Sequence, residues 1–372
     1  MHPLSCFKSC LLTGLCLLGL SGHAQIVIGQ SIALTGGLTE LGQAVVKGAK
    51  LHIDQVNAAG GIAGQQVHIK TMDDAGKADT AAENVRTLIE RDRVLALFAG
   101  IEGGPCTSAR KVAVELKTPF IACMTGSPEM REPYDAHVFT VRATHLAEFE
   151  RIVEMAASYG YTKFGFLHAD SDNGRKHLAN VNRLLADRKL QPAKPFVLAK
   201  DVKPDALAKA LLASDVQVMF NHGAYDFYAD LILQTRKAAP NKVNFFAINS
   251  GIAQMAAKLG ALGKGITFTS VVPFPSSGRE AIAREFRKLY GSAYPTETPS
   301  LGAMEGYISA KVLIEGLKRA GPRPTRESLT KAMDNLGTLN LGNFAVTFTP
   351  GSHPGSSYVD TAVISGDGRF VH

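Results

Sequence analysis

The sequence predicts an α/β protein: two doubly wound parallel-sheet lobes joined by a hinge that the chain crosses several times. Three observations carry this expectation. Short runs of strand formers alternate with amphipathic helical stretches in two blocks, over 26–142 and 146–272. The chain has 372 residues, too many for one ordinary core. After V-V-P-F-P (Val271–Pro275) the alternation stops, three helical stretches follow without a strand, and a Gly-rich tail with strand-like runs ends the chain. The crossings then fall near Arg142–His145, Val272–Pro275 and Leu339–Asn343. They divide the chain into 25–142 plus 275–339 (lobe 1) and 143–274 plus 340–372 (lobe 2).

The elements follow in order. Ile26–Leu34 is a strand, and T-G-G-L-T-E-L-G (Thr35–Gly42) a turn. A helix from Gln43 to Asn57 puts Val46, Ala49, Ile53 and Val56 on one stripe, and Gly60-Gly61 stops it. Val67–Thr71 is the second strand, and Asp79 or Thr80 is expected to cap the next helix, which runs to Arg91. Over 94–127 two apolar runs flank an amphipathic segment: strand, crossover helix, strand. His137–Val141 is another strand. The second block reads as helix 146–159, strand 163–169, helix 175–189, strand 196–198, helix 204–213 and strand 216–221. Helix 225–238, strand 244–248, helix 252–259 and strand 265–272 complete it. Helices at 278–290, 301–320 and 325–335 are expected to return to the first lobe, and strands 344–348 and 358–364 to the second. Alternation of this kind gives parallel sheets covered on both faces.

The N-terminus reads separately. Lys8 precedes the apolar run Leu11–Leu20, and Gly22-His23-Ala24 supplies small residues at the spacing of a cleavage site, so residues 1–24 are read as a secretory signal. Ten apolar residues fall well short of the roughly 20 that span a bilayer. Cleavage would remove three of the five cysteines, and with Lys8 it would lower the net charge from +7 to +6. Cys106 and Cys123 remain, in adjacent turns. Sequence does not fix the geometry of a bridge, and the reading prefers two buried thiols. The basic residues are spread without a Lys/Arg block, so no nucleic-acid partner is expected.

No G-x-S-x-G elbow, H-E-x-x-H helix, P-loop or C-x-x-C is present, and G-x-G-x-x-G is absent after the first strand. No catalytic residue and no cofactor is implied. D-S-D-N-G (Asp170–Gly174) resembles the start of a calcium loop but lacks a glutamate at the twelfth place, so it reads as a turn or helix cap. His145 and Glu148 share a helix face without a third ligand, so no metal site is read there. What stands out instead is a set of small, polar turns at the carboxyl ends of strands: Thr35–Gly42, Gly100–Thr107, Thr125–Ser127, Asp170–Gly174, His222–Asp226 and Asn249–Gly251. In open parallel sheets ligands bind at such edges. Three crests from each lobe, facing one another, make a cleft that closes on a small molecule.

With those residues assembled, the chain from residue 25 onward resembles the leucine/isoleucine/valine-binding family of type I periplasmic binding proteins, extracytoplasmic subunits of ABC importers. The resemblance is carried by I-G-Q-S-I-A-L-T-G-G-L-T-E-L-G (28–42), G-A-K-L-H-I-D-Q-V-N-A-A-G-G-I-A-G (48–64), D-D-A (73–75), the 94–127 block, V-P-F-P and L-G-A-M-E-G-Y-I-S-A-K-V-L-I-E-G-L (301–317). It implies a ligand carboxylate held by the main-chain N–H groups of Gly103 and Gly104 and by the turn Thr125, Gly126, Ser127. Leu41 stands where the family places a pocket aromatic. In the second lobe the contacts implied are Asn173, Ala224 or Tyr225, and Asn249 or Ser250. Amino-acid binders of the family carry an acid at this last place to hold the ammonium group. A neutral Asn249 departs from that, which leaves Asp226 or Glu305 as substitutes, or a ligand without an α-ammonium. The implied partners are a small carboxylate or amino acid and the membrane permease, with the protein itself a periplasmic monomer. A ligand sensor on the same fold is the alternative, and an enzyme the least favoured.

Overall fold

The structure, a computed structural model, describes residues 25–366 and 369–372; the expected signal over 1–24 lies outside the described residues. The first block forms β1 (Ile26–Ile32), α1 (Thr39–Ala58), β2 (Val67–Asp73), α2 (Ala78–Glu90), β3 (Ala96–Phe98), α3 (Gly103–Glu115), β4 (Phe120–Ile121) and β5 (Val138–Phe139). Its five strands are all parallel, in the order β2-β1-β3-β4-β5. The apolar residues of β1 and β3 point alternately to two cores. Ile28, Ala96 and Phe98 face α1, while Leu97 faces α2 and α3 with Val85, Leu88 and Ala109. Val45, not the expected Val46, joins Ala49, Ile53 and Val56 on the buried stripe of α1. α2 starts at Ala78 with Lys77 ahead of it and no side-chain cap, so neither Asp79 nor Thr80 caps it.

The second block forms α4 (His145–Ser158), β6 (Phe164–Ala169), α5 (Asp172–Asp187), β7 (Lys194–Leu198), α6 (Pro204–Leu212), β8 (Val218–Asn221), α7 (Tyr225–Ala238), β9 (Asn244–Ala247), α8 (Ile252–Leu259) and β10 (Thr267–Ser270). α5 begins three residues earlier than the sequence suggested, because Ser171 accepts a hydrogen bond from Gly174 N–H and nucleates its first turn. The D-S-D-N-G stretch is therefore a helix start.

α9 (Ala281–Ala293), α10 (Leu301–Arg319) and α11 (Arg326–Asp334) return to the first sheet. Phe286, Tyr307, Leu313 and Leu329 share one core with Ile28, Ile53 and Phe98. At about 1.5–3 kcal/mol per large apolar side chain removed from water, this core is the main force holding the returning helices to the sheet. α1 and α10 lie backbone against backbone. A Cβ on Gly48 would stand 1.8 Å from Ala303 O, and one on Gly306 would stand 2.2 Å from Val45 O.

The tail departs from expectation. β11 (Gly337–Asn340), β12 (Ala345–Thr349) and β13 (Ser352–Gly355) form a small antiparallel sheet, and Phe344, Val346 and Phe348 pack into the first core. His353 lies 4.2 Å from the Phe139 ring, nearly parallel to it, and bonds Val138 O through Nδ1 at 2.8 Å. Only then does the chain cross, with Ser356 N–H on Val141 O. β14 (Asp360–Ile364) extends the second sheet antiparallel to β10, and β15 (Phe370–Val371) adds antiparallel to β14, giving the order β15-β14-β10-β9-β8-β6-β7. The third crossing thus lies near 356–360 rather than 339–343, and residues 340–355 sit on the first lobe, not the second. The two tail strands, both expected on the second lobe, lie in separate sheets because apolar residues on β12 fit the first core and those on β14 the second.

Candidate functional site

Reversal of strand order places the candidate site. In the first sheet the order turns between β1 and β3, and in the second between β6 and β8. Chain leaving the carboxyl ends of these strands meets across the gap between the lobes. There a cavity of about 750 Å³ is lined from both sides. Of the residues named from sequence, its wall holds Leu41, Gly103, Thr125, Ser127, Asn173, Asn249, Ser250 and Glu305. Gly104, Gly126, Ala224, Tyr225 and Asp226 are not in the wall.

On the first lobe, three residues past β3, Ile101 bridges to Met124, and Glu102 takes φ 69° to turn the chain into α3. The first turn of α3 leaves its N–H groups without intrahelical partners and carries the positive end of the helix dipole. Gly103 presents this turn to the cavity beside Thr125, whose Oγ1 would lie 3.7 Å from a Cβ on Gly103. Thr125 Oγ1 accepts from Ser127 N–H at 3.2 Å, so its hydroxyl proton is left to donate. Beneath the two crests, Cys106 and Cys123 form a disulfide, with Cα atoms 6.0 Å apart. The preference for two thiols is thereby corrected: Ile101 paired with Met124 brings the start of α3 against the end of β4, a contact that sequence spacing does not reveal. Gly126 serves packing, since a Cβ there would lie 2.4 Å from His145 N.

On the second lobe the crests are Asn173 in the first turn of α5, His222-Gly223 after β8, and Asn249–Gly251 before α8. Tyr225, expected to contact ligand, instead reaches across the mouth: its hydroxyl donates to Gly37 O of the first lobe at 3.0 Å. Gln254 donates to Glu40 at 3.0 Å and Ser250 Oγ to Glu102 at 3.4 Å, so three bonds close the lips. Asp226 is turned away from the gap and pairs with Lys258 at 2.6 Å, which removes it as a substitute acid.

The floor was not foreseen in full. Arg142, at the first crossing, is 6% exposed and lines the cavity. Its Nη2 reaches Glu148 Oε1 and Asn249 O, each at 3.3 Å, and its Nη1 lies 3.6 Å from Glu305 Oε1. Its buried Nε–H has no partner among the described residues. Glu148 is fully buried and also accepts from Asn249 N–H at 2.7 Å and Thr269 Oγ1 at 2.7 Å. Burial pushes the Glu148 carboxyl up, but His145, Arg142 and Thr269 outweigh it and hold the group below the usual range. Burial raises the Glu305 carboxyl, with Arg142 opposing. Beside this floor stand His145 and His222, with His177 behind, ring centroids 4.9 Å and 3.8 Å from His222. Burial first, then His145, lowers His177 to about 3 and depresses His222 strongly, so both are neutral near pH 7. The R-A-T-H run at a lobe crossing was the signal for Arg142 and His145: cationic side chains where a hinge passes between cores. The described residues contain no group of His, Cys, Asp and Glu able to hold a metal ion, and none of their helices is long and apolar enough to cross a membrane.

Comparison with known proteins agrees with this architecture. The family described as "Periplasmic binding protein" matches residues 25–369. A Leu/Ile/Val-binding protein homolog 7 from Brucella abortus is 22% identical over 327 residues, covering 80% of this chain and 77% of that one. A substrate-binding periplasmic protein from Ralstonia solanacearum superposes with a TM-score of 0.83 at 27% identity, over 93% of this chain and 99% of that one. A fatty acid ABC transporter substrate-binding protein from Thermomonospora curvata reaches a TM-score of 0.82 at 17% identity over 94% and 91%, a likeness of fold alone. The two lobes have the type I periplasmic binding protein fold, and the chain belongs to the periplasmic binding protein family.

Proposed function

We propose that this protein is the extracytoplasmic solute-binding subunit of an ABC importer, exported to the periplasm and capturing a small carboxylate that lacks an α-ammonium group. The observation that supports it most is the cavity itself: about 750 Å³, walled by crests of both lobes, with bonds between the lobes at its lips. Gly103 at the start of α3, the free proton of Thr125 and the unpartnered Nε–H of Arg142 are donors suited to an oxyanion. Asn249 offers an ammonium only a neutral acceptor, and its main chain is already engaged by Glu148 and Arg142. Glu305 faces Arg142 and is biased by burial toward its neutral form, so it is a poor anchor for a cation. Ligand stabilises the closed form by the contacts it adds on the second lobe, and the closed form is the one that docks on a permease.

Isothermal titration calorimetry with leucine, isoleucine, valine and their des-amino acids tests this. The acids are expected to bind more tightly than the amino acids. Strong leucine binding with the simple acids inert would overturn the ligand assignment. Failure of the liganded protein to stimulate ATP hydrolysis by a reconstituted cognate permease would favour a sensing role.

A further inference from the structure

The cavity is larger than a branched-chain amino acid requires. Nine non-hydrogen atoms, each given the roughly 30 Å³ that a water molecule occupies in the liquid, need roughly 270 Å³. That is about a third of the 750 Å³ of the cleft, which stays open at its rim. The excess lies in one direction. Along the second sheet the lining runs from Asn173, after β6, to Phe370 in β15, across the order β6-β8-β9-β10-β14-β15. Five inter-strand steps of about 4.8 Å make this roughly 24 Å.

Chemistry changes along that length. Arg142 stands partway along it, bonded to Asn249 O after β9 and three strand steps, roughly 14 Å, from β15; with the start of α3 and Thr125 it forms a polar head, and its unpartnered Nε–H is more than nine-tenths buried. The far end is walled chiefly by Phe274, Pro275, Leu301 and Phe370, with Ser276, Ser300 and Arg369 beside them. Leu301 packs against the cores of both lobes, and Phe370 stands edge-on to Phe268 at 5.0 Å, so this wall is fixed by the interior rather than loosely placed. At the outer rim are Thr298 and Arg287, both exposed, the latter bonded to Ser276 O at 3.0 Å. A polar head, an apolar throat and an open rim together match a molecule with one charged end and a long apolar body.

We propose that the ligand is an elongated amphipathic carboxylate, its acid group at Arg142 and the α3 turn and an apolar body of roughly a dozen carbons lying along Phe274, Leu301 and Phe370. This rests on the reading that the cavity receives a carboxylate. Each methylene buried in the throat strengthens binding about fourfold.

The test is calorimetry of the full chain, stripped of bound lipid by unfolding and refolding, with straight-chain acids from butanoate to hexadecanoate below their micellar concentrations. Dodecyltrimethylammonium and dodecanol serve as probes of the head group. Kd is expected to fall severalfold per added methylene up to about twelve carbons, then level off as the chain reaches the rim. Thr298→Trp, on an exposed loop, narrows the rim and is expected to weaken hexadecanoate at least tenfold while leaving butanoate unchanged. Tightest binding at four to six carbons, with Thr298→Trp without effect on any acid, overturns the proposal and leaves the carboxylate reading standing. If no acid of any length binds, or the ammonium and alcohol probes bind as tightly as dodecanoate, the carboxylate reading fails and this inference with it.

Discussion

Replacing both cysteines by alanine (Cys106→Ala with Cys123→Ala) separates the stability of the first lobe from the order of its ligand crest. The disulfide closes a chain segment with a sequence separation of 17. Loop-closure entropy for that length corresponds to about 3 kcal/mol at 25 °C. Both sulfurs are buried at 1% and 2% exposure, so the bridge contributes through the chain and not through solvent. In a folding unit of about 150–250 residues each kcal/mol moves Tm by about 2–4 °C, so the first-lobe transition is expected to fall by roughly 6–12 °C. Scanning calorimetry with the two lobes resolved by their transitions measures it. The same bridge ties the α3 turn to the end of β4, the two crests that present Gly103 and Thr125. Without it, fixing about one more residue on binding costs about 1–2 kcal/mol, and ligand affinity is expected to drop about tenfold. A first-lobe transition within 2 °C of the parent together with unchanged affinity would refute both halves of the reasoning.

Three further outcomes are expected. Tyr225→Phe removes the hydroxyl that bonds Gly37 O across the cleft mouth; it should weaken ligand binding by about 0.5–1.5 kcal/mol in calorimetry while leaving the ligand-free melting temperature unchanged. Glu148→Ala leaves Arg142 buried without its nearest counter-charge and orphans Asn249 N–H and Thr269 Oγ1, so urea unfolding should show a loss of about 3–5 kcal/mol. His52 and His177 are held at about 4 and about 3, and His222 well below its ordinary value, each chiefly by burial. Because the unfolded chain binds these protons near pH 6.5 and the folded one does not, their stability is complete above that pH. It falls as pH drops from about 6.5 toward 4, by up to about 1.4 kcal/mol per pH unit for each ring. His177→Phe should flatten the slope of the urea midpoint over that window, and an unchanged slope would show that His177 does not titrate as the burial implies.

The strand–helix rhythm was legible because apolar period fixes element type wherever a segment is long or fully buried. Helix 225–238 and helix 252–259 fall where the sequence put them. The start of α1 was missed because Gly42 looked like part of a turn, whereas it lies inside the helix. β11 and β13 were missed for a different reason. G-T-L-N and S-H-P-G are short and polar, and they become strands only because β12 lies between them and is held by Phe344, Val346 and Phe348. Among the site residues, the crests followed from where strands end. The side chains that face inward did not: Ala224 and Tyr225 miss the wall while Gly223 meets it, a shift of one or two residues that no periodicity specifies. Arg142 is marked in the sequence only by its place at the first crossing, since its role depends on two lobes converging on one guanidinium.

Passage of the backbone between the lobes at three places carries a mechanical consequence. Strands leaving β5, β10 and β13 side by side act like the knuckles of a door hinge: they permit swing about one axis and resist both twisting and sideways slip. A single protease cut at any one of them leaves the halves joined by the other two. Neither half is an uninterrupted piece of sequence, so the first is completed only once 281–355 have been made and the second only once 360–371 have, and pocket formation waits on both.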